Sequence, residues 1–247
     1  NAHALRLDIE NADSKGKTNF PKIDLHVGPD VVRLPGLELQ DTLETLHGRY
    51  GEDGVIVVTR SNKRAVLFNG QIRTRVLWLE DDINSGDRLM VVRNDYFWLK
   101  DHEELPIDLI ANGDMIEVSR IGSRFTRYGQ EFAEVDVILS DFPDYPSFSV
   151  TILLSILHDS RPSLPQSETK ELYHAIAKDY SDLRTKSAIH KAVISDPCYR
   201  ALQVKFAYSL TCHKAQGGQW PAVILDQGYL TEEMLNKDWL RWLYTAF

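Results

Sequence analysis

The run VIVV at residues 55–58 constrains this chain more than any other segment. Four consecutive apolar residues between Gly54 and the polar Thr59–Arg60–Ser61–Asn62 make a short strand buried on both faces. A parallel sheet covered by helices demands such strands. Ser61 and Asn62 are helix-capping residues, and Ala65, Phe68, Ile72 and Val76 follow at helical spacing as one core face. Strand, polar turn and helix form half of an α/β unit. Upstream, Leu39, Leu43, Leu46 and Tyr50 mark the stripe of another amphipathic helix, and residues 51–54 (GEDG) turn the chain into the strand.

From Gly86 the texture changes. GDRLMVVRND and NGDMIEVSRIG are short β-rich pieces bounded by Gly–Asp and Asn–Gly–Asp turns. Together with residues 131–139 they predict a small antiparallel barrel. Residues 142–165 read as irregular, and a helix is expected over 168–183 behind Ser167. From Tyr199 the α/β texture returns. Val204, Phe206, Tyr208 and Leu210 alternate as one strand, the polar TCHKAQGGQ follows, and AVILD is another short apolar strand. DWLRWLYTAF closes the chain as a helix with Leu240, Leu243 and Phe247 on one side. The expected organisation is one α/β domain in two segments, 1–84 and 199–247, interrupted by an inserted module at 85–198. The chain opens on Asn1, has methionines only at 90, 115 and 234, and stops inside a helical pattern. It reads as a segment of a longer protein.

Several chemistries are disfavoured by spacing or context. Gly16–Lys17–Thr18 ends like a phosphate-binding P-loop, but the glycine that the motif needs at position 11 is Asn11, and the preceding residues are polar. Asp144, Glu168 and Lys170 form a nuclease-like pattern, yet SETKELYHAIAKDY reads as a helix start rather than a strand. No two histidines stand four apart and neither cysteine has a close partner, so zinc spacing is missing. Cys198 and Cys212 are too few for a disulfide framework, which makes a reducing cytoplasm the expected compartment. No apolar run approaches the roughly 20 residues of a membrane span.

Net charge is −8, which on average argues against a nucleic-acid binder. The average hides a pattern. Residues 54–79 hold Arg60, Lys63, Arg64, Arg73 and Arg75 with no acid, and residues 197–225 hold Arg200, Lys205 and Lys214 with no acid. Ligands of α/β sheets gather at the carboxyl ends of strands. Thr59 to Asn62 ends the VIVV strand, and Thr211 to Gln219 ends the strand through Leu210. Asn69 and Arg73, four apart and off the apolar stripe, are expected to point at one cleft.

On these residues the chain resembles a known family. SLTCHKAQGGQW at 209–220 resembles motif V of superfamily-1 helicases of the RecD-like group. VIVVTRSNKRAVLFNGQIR at 55–73 is similar to their motif IV, and WLYTAF at 242–247 looks like the opening of motif VI. The likeness is greatest to the exodeoxyribonuclease V alpha-subunit type, with its UvrD-like C-terminal helicase domain. It implies an α/β fold: a second RecA-like, P-loop-NTPase-type domain without its own Walker A, interrupted by an SH3-like β-barrel. It implies ATP-driven 5′→3′ movement on single-stranded DNA, with ATP and Mg²⁺ held together with a first RecA-like domain, and exonuclease-complex subunits as partners. Carried over by motif, Arg73 contacts the nucleotide phosphates, where a bidentate fork suits them. Gly217 and Gln219 line the nucleotide side of motif V. Thr59, Asn62, Thr211, His213 and Lys214 touch or couple to the DNA backbone.

The arginine-finger residue of motif VI falls past Phe247, so no catalytic set is complete here. These 247 residues are expected to be a monomer that neither binds ATP tightly nor hydrolyses it. Two other readings stay open. One is a non-catalytic DNA-binding or partner-docking module, and the other is a metal-dependent nuclease using Asp144, Glu168 and Lys170.

Overall fold

The computed structural model describes residues 2–11, 21, 30–102 and 104–246. In chain order the elements are α1 (Ala2–Asn11), α2 (Leu39–Tyr50), β1 (Val55–Thr59), α3 (Asn62–Arg75), β2 (Arg88–Val91), β3 (Met115–Arg127), β4 (Gln130–Leu139) and β5 (Phe148–Leu153). There follow α4 (Gln166–Asp179), α5 (Lys186–Ile194), β6 (Val204–Phe206), β7 (Ser209–Thr211), α6 (Cys212–Ala215), β8 (Ala222–Asp226) and α7 (Lys237–Ala246). The chain divides into two compact units, Asn1–Trp78 with Tyr208–Phe247, and Leu79–Ala207. No helix among the described residues is long and apolar enough to cross a membrane.

The first unit is built on a parallel three-stranded sheet, β7-β1-β8. β1 is its centre and every one of its residues is buried, as an apolar strand without alternation requires. Its end aligns with both neighbours, Thr59 opposite Thr211 on one side and Asp226 on the other. Ser61 caps α3 by accepting a hydrogen bond from the Arg64 amide (3.3 Å), which starts the helix where the sequence places it. α2 buries Leu43 and, beside the expected stripe, His47. Asn236 accepts from the Trp239 amide at 3.0 Å and opens α7, whose Trp239, Leu240, Trp242 and Leu243 are buried. α1 packs on α7 and buries Leu5. The expected Phe247 contact lies outside the described residues.

The second unit is an antiparallel five-stranded sheet, β5-β4-β3-β2-β6. Leu89, Ile116, Val118, Val137 and Ile152 are among its fully buried side chains. β3 kinks where its pairing with β4 shifts register, and Gly122 lies so close to the Glu134 carbonyl that a Cβ would stand 3.1 Å from it. An isolated parallel bridge joins Ile152 to Leu202, with Leu153 N–H donating to Leu202 O and Leu202 N–H to Thr151 O (3.0 and 2.8 Å). Pairing among the described residues thus gives a sheet with bridged ends rather than a closed barrel.

Two expectations are corrected. The alternating run from Val204 to Leu210 is not one strand. It breaks at Ala207–Tyr208, giving β6 to the antiparallel sheet and β7 to the parallel one. Burial continues unbroken from Leu202 to Phe206 and from Tyr208 to Leu210, so the alternation carries no mark of the change of sheet. The units accordingly part at 78/79 and 207/208, displaced from the expected 84/85 and 198/199. The helix expected over 168–183 is instead α4, which starts directly after Pro165 with no side-chain cap. A second helix, α5, follows, with Thr185 as its cap, accepting from Ala188 N–H at 3.1 Å.

Candidate functional site

The carboxyl edge of the parallel sheet sets Thr211, Thr59 and Asp226 side by side. Each strand end feeds a different segment: β7 runs into α6, β1 into Arg60, Ser61 and α3, and β8 into Gln227 and Gly228. α3 is locked to both flanking strands. Asn69 is 5% exposed and uses its whole amide on β7, donating to Ser209 O (3.0 Å) and accepting from Ser209 N–H (2.7 Å). The Ser209 hydroxyl donates in turn to Val57 O at 2.9 Å. At the other flank, Arg64 grips Asp226 with both arms, Nε to Oδ2 at 2.8 Å and Nη2 to Oδ1 at 2.6 Å. That side-chain hydrogen bonding, more than it loses to burial, raises the guanidinium above its ordinary value.

The residues singled out in the sequence fall into two sets. Thr211 and Asn62 are half-buried at the edge, and His213, Gly217 and Gln219 are exposed beyond it. Lys214 is half-buried, and burial pushes its ammonium below the ordinary range. Gly217 has φ +86°, a conformation that favours glycine. The Trp220 ring covers Gly218 so closely that a Cβ there would lie 2.0 Å from Cη2. This pair of glycines therefore shapes the exposed loop between α6 and β8.

The other set is buried. Thr59 is 0% exposed, and its hydroxyl lies 3.2 Å from Ser61 O and 3.3 Å from Leu210 O, so it braces the two strand ends and offers no surface to DNA. Arg73 is 2% exposed. The expectation that Asn69 and Arg73 open on a cleft is thus corrected for both. A polar residue off the apolar stripe faces either solvent or a neighbouring backbone, and spacing does not distinguish these outcomes.

The charge pattern is likewise reduced. Lys205 is buried in the second unit, its ammonium donating to the carbonyls of Ile156 and Asp159. The Arg200 guanidinium donates to Ile194 O at the end of α5. Arg60, Lys63 and Arg75 remain exposed in the first unit, joined by half-buried Lys214.

The competing chemistries find no support. Glu168, at the start of α4, is ion-paired with Arg161, Asp144 lies exposed in a turn, and no group of His, Cys, Asp and Glu among the described residues suits a metal ion. Gly16–Lys17–Thr18 lies outside the described residues. Both thiols are buried, and desolvation pushes Cys198 up to about 11 and raises Cys212 as well, so neither is poised as a nucleophile.

Residues 206–247 match the family model described as UvrD-like helicase C-terminal domain. The match takes in β7, α6, the glycine loop, β8 and α7, and supports a superfamily-1 helicase C-terminal domain with a helicase-related role in DNA binding. No curated protein matches the chain.

Proposed function

We propose that this chain supplies the second RecA-like half of an ATP-dependent superfamily-1 DNA helicase or translocase of the RecD-like type. The observation that carries this reading is the pairing of Thr59 with Thr211. It brings the strand ends within the motif IV-like and motif V-like segments to one sheet edge, in a unit whose closing segment, 208–247, lies inside the 206–247 match to a helicase domain. In this reading Asn62, Thr211, His213 and Lys214, with exposed Arg60 and Lys63, meet the phosphates of single-stranded DNA, and Thr59 holds the edge in register. Gly217 and Gln219 take the nucleotide side. Arg73 meets a nucleotide only after its side chain leaves its present packing. ATP supplies the phosphoanhydride whose cleavage drives movement. In this reading Mg²⁺ and ATP are held together with a first RecA-like domain. The bridged sheet of the second unit is read as its SH3-like insertion. Movement 5′→3′ and partners in an exonuclease complex belong to the same reading.

The test is fluorescence anisotropy with a labelled oligodeoxynucleotide across a salt series. Arg60→Ala, Lys63→Ala and Lys214→Ala are each expected to weaken binding and to flatten the log–log salt slope by about 0.7 per lost phosphate contact. Binding that none of the three alters sinks the proposal. The 247 residues alone are expected to show no DNA-stimulated ATP hydrolysis. DNA binding by a longer protein that also lacks this hydrolysis favours the non-catalytic module instead.

A further inference from the structure

The second unit carries the inverse of the acid-free pattern. Residues 101–119 hold six acids and residues 128–160 another six, with no lysine or arginine in either stretch. The fold brings the two together. Ile116 pairs with Leu139 and Ser140 N–H donates to Met115 O at 2.9 Å. Beside this seam lies a cleft of about 280 Å³ walled by Ile107, Leu109 and Met115 from the first stretch and by Leu139 and Phe142 from the second. Ala111, Asp114 and Asp141 complete the wall. The volume is at the small end for a ligand pocket, about 300 Å³, and suits one large side chain better than a cofactor.

The charge around the cleft is not neutralised. Asp108, Asp141 and Asp144 are exposed, and no ion pair or hydrogen bond joins their carboxylates to a described residue. Elsewhere in the same unit carboxylates have cations: Asp136 has Arg120, Asp179 has Arg127, and Asp159 has Arg161. An apolar cleft with Asp141 in its wall, Asp108 between two of its lining residues in the chain and Asp144 two residues past Phe142 repels nucleic acid and attracts a cationic chain with an apolar anchor.

We propose that this cleft docks a basic peptide segment of a partner protein. One large apolar side chain seats against Leu109, Met115 and Phe142, and flanking lysines or arginines answer Asp108, Asp141 and Asp144. This function stands apart from the sheet edge of the first unit and does not rest on the helicase reading.

The experiment titrates the 247-residue chain into a labelled lysine-rich peptide bearing a single tryptophan, read by anisotropy. The expected result is saturable binding that weakens about tenfold or more when that tryptophan is replaced by alanine, as for an aromatic anchor. Asp141→Lys with Asp144→Lys, both on exposed residues, and Leu109→Ser are expected to weaken it comparably. Arg60→Ala, chosen for the DNA test, leaves the peptide affinity unchanged. Equal affinity for the alanine peptide overturns the proposal, since charge alone is then at work. Indifference to the cleft variants overturns it too, as does displacement by unlabelled single-stranded DNA. Self-association of the chain through Leu109 in sedimentation makes a second copy the occupant and equally rejects a basic partner.

Discussion

Asn69 does for β7 what a neighbouring strand would do: its amide pairs with both backbone groups of Ser209. Replacing it by alanine strands a buried donor and acceptor, so Asn69→Ala is expected to cost about 1–3 kcal/mol in urea unfolding. A loss below the scatter of the titration would show that water replaces the amide. Trp220 makes a similar case at Gly218. Gly218→Ala forces the indole aside, so it is expected to destabilise, and Trp220→Ala in the same chain is expected to relieve most of that effect. Lys214 gives a pH signature. Its folded value lies below the ordinary 10.5 because burial penalises the charged amine. Between the two values the unfolded chain holds the extra proton, so stability rises with pH across that window and is flat below it. Urea midpoints from neutral pH to 10.5 should show the rise, and Lys214→Met should remove it. The sequence made the polar residues of the edge legible as a group. It did not separate His213, which faces solvent, from Thr59, Asn69 and Arg73, which do not. Polar side chains satisfied by a backbone at sequence distances of 140 or more residues leave no local trace.

Elements were legible where local chemistry and burial agree. β1 and α3 lie where an unbroken apolar run and a capping serine place them, and α2 keeps its stripe. Ser61→Ala is expected to cost about 0.5–2 kcal/mol through the lost cap, measured by chemical denaturation. Thr185, capping α5, belongs to the same class although α5 itself escaped the sequence reading. A nine-residue helix shows only about two and a half turns of pattern, and α4 masks it from upstream. β6 and β7 were illegible as separate strands for a different reason. Three residues each, both buried, and only Ala207 and Tyr208 between them leave no turn chemistry to mark the break.

At the scale of the whole molecule, the acid balance of −8 belongs to the second unit, whose residues 79–207 hold 14 lysines and arginines against 22 acids, while the first unit balances 14 against 14. Basic side chains are exposed at the sheet edge of the first, and the cleft of the second has the exposed Asp141 in its wall. The second unit also has its two ends together, since Leu89 pairs with Phe206 and Ala207 N–H donates to Arg88 O at 2.9 Å. A domain with adjacent termini and its own core can fold alone. Residues 79–207 expressed by themselves should therefore unfold in one cooperative transition, whereas a gradual, non-cooperative loss of structure would mean that the core is shared.

Those joined ends decide the order in which the molecule assembles. The parallel sheet of the first unit needs Val57 to find Ser209 across 152 residues of chain, and closing a loop costs more entropy the longer it is, about 0.6 kcal/mol per doubling. Once the second unit has folded, Arg88 and Ala207 touch, and that long loop becomes a short one. The intervening unit then acts as a clasp that brings β7 to β1, and its amide hydrogens should gain protection from exchange before those of β1 in a refolding pulse-labelling experiment.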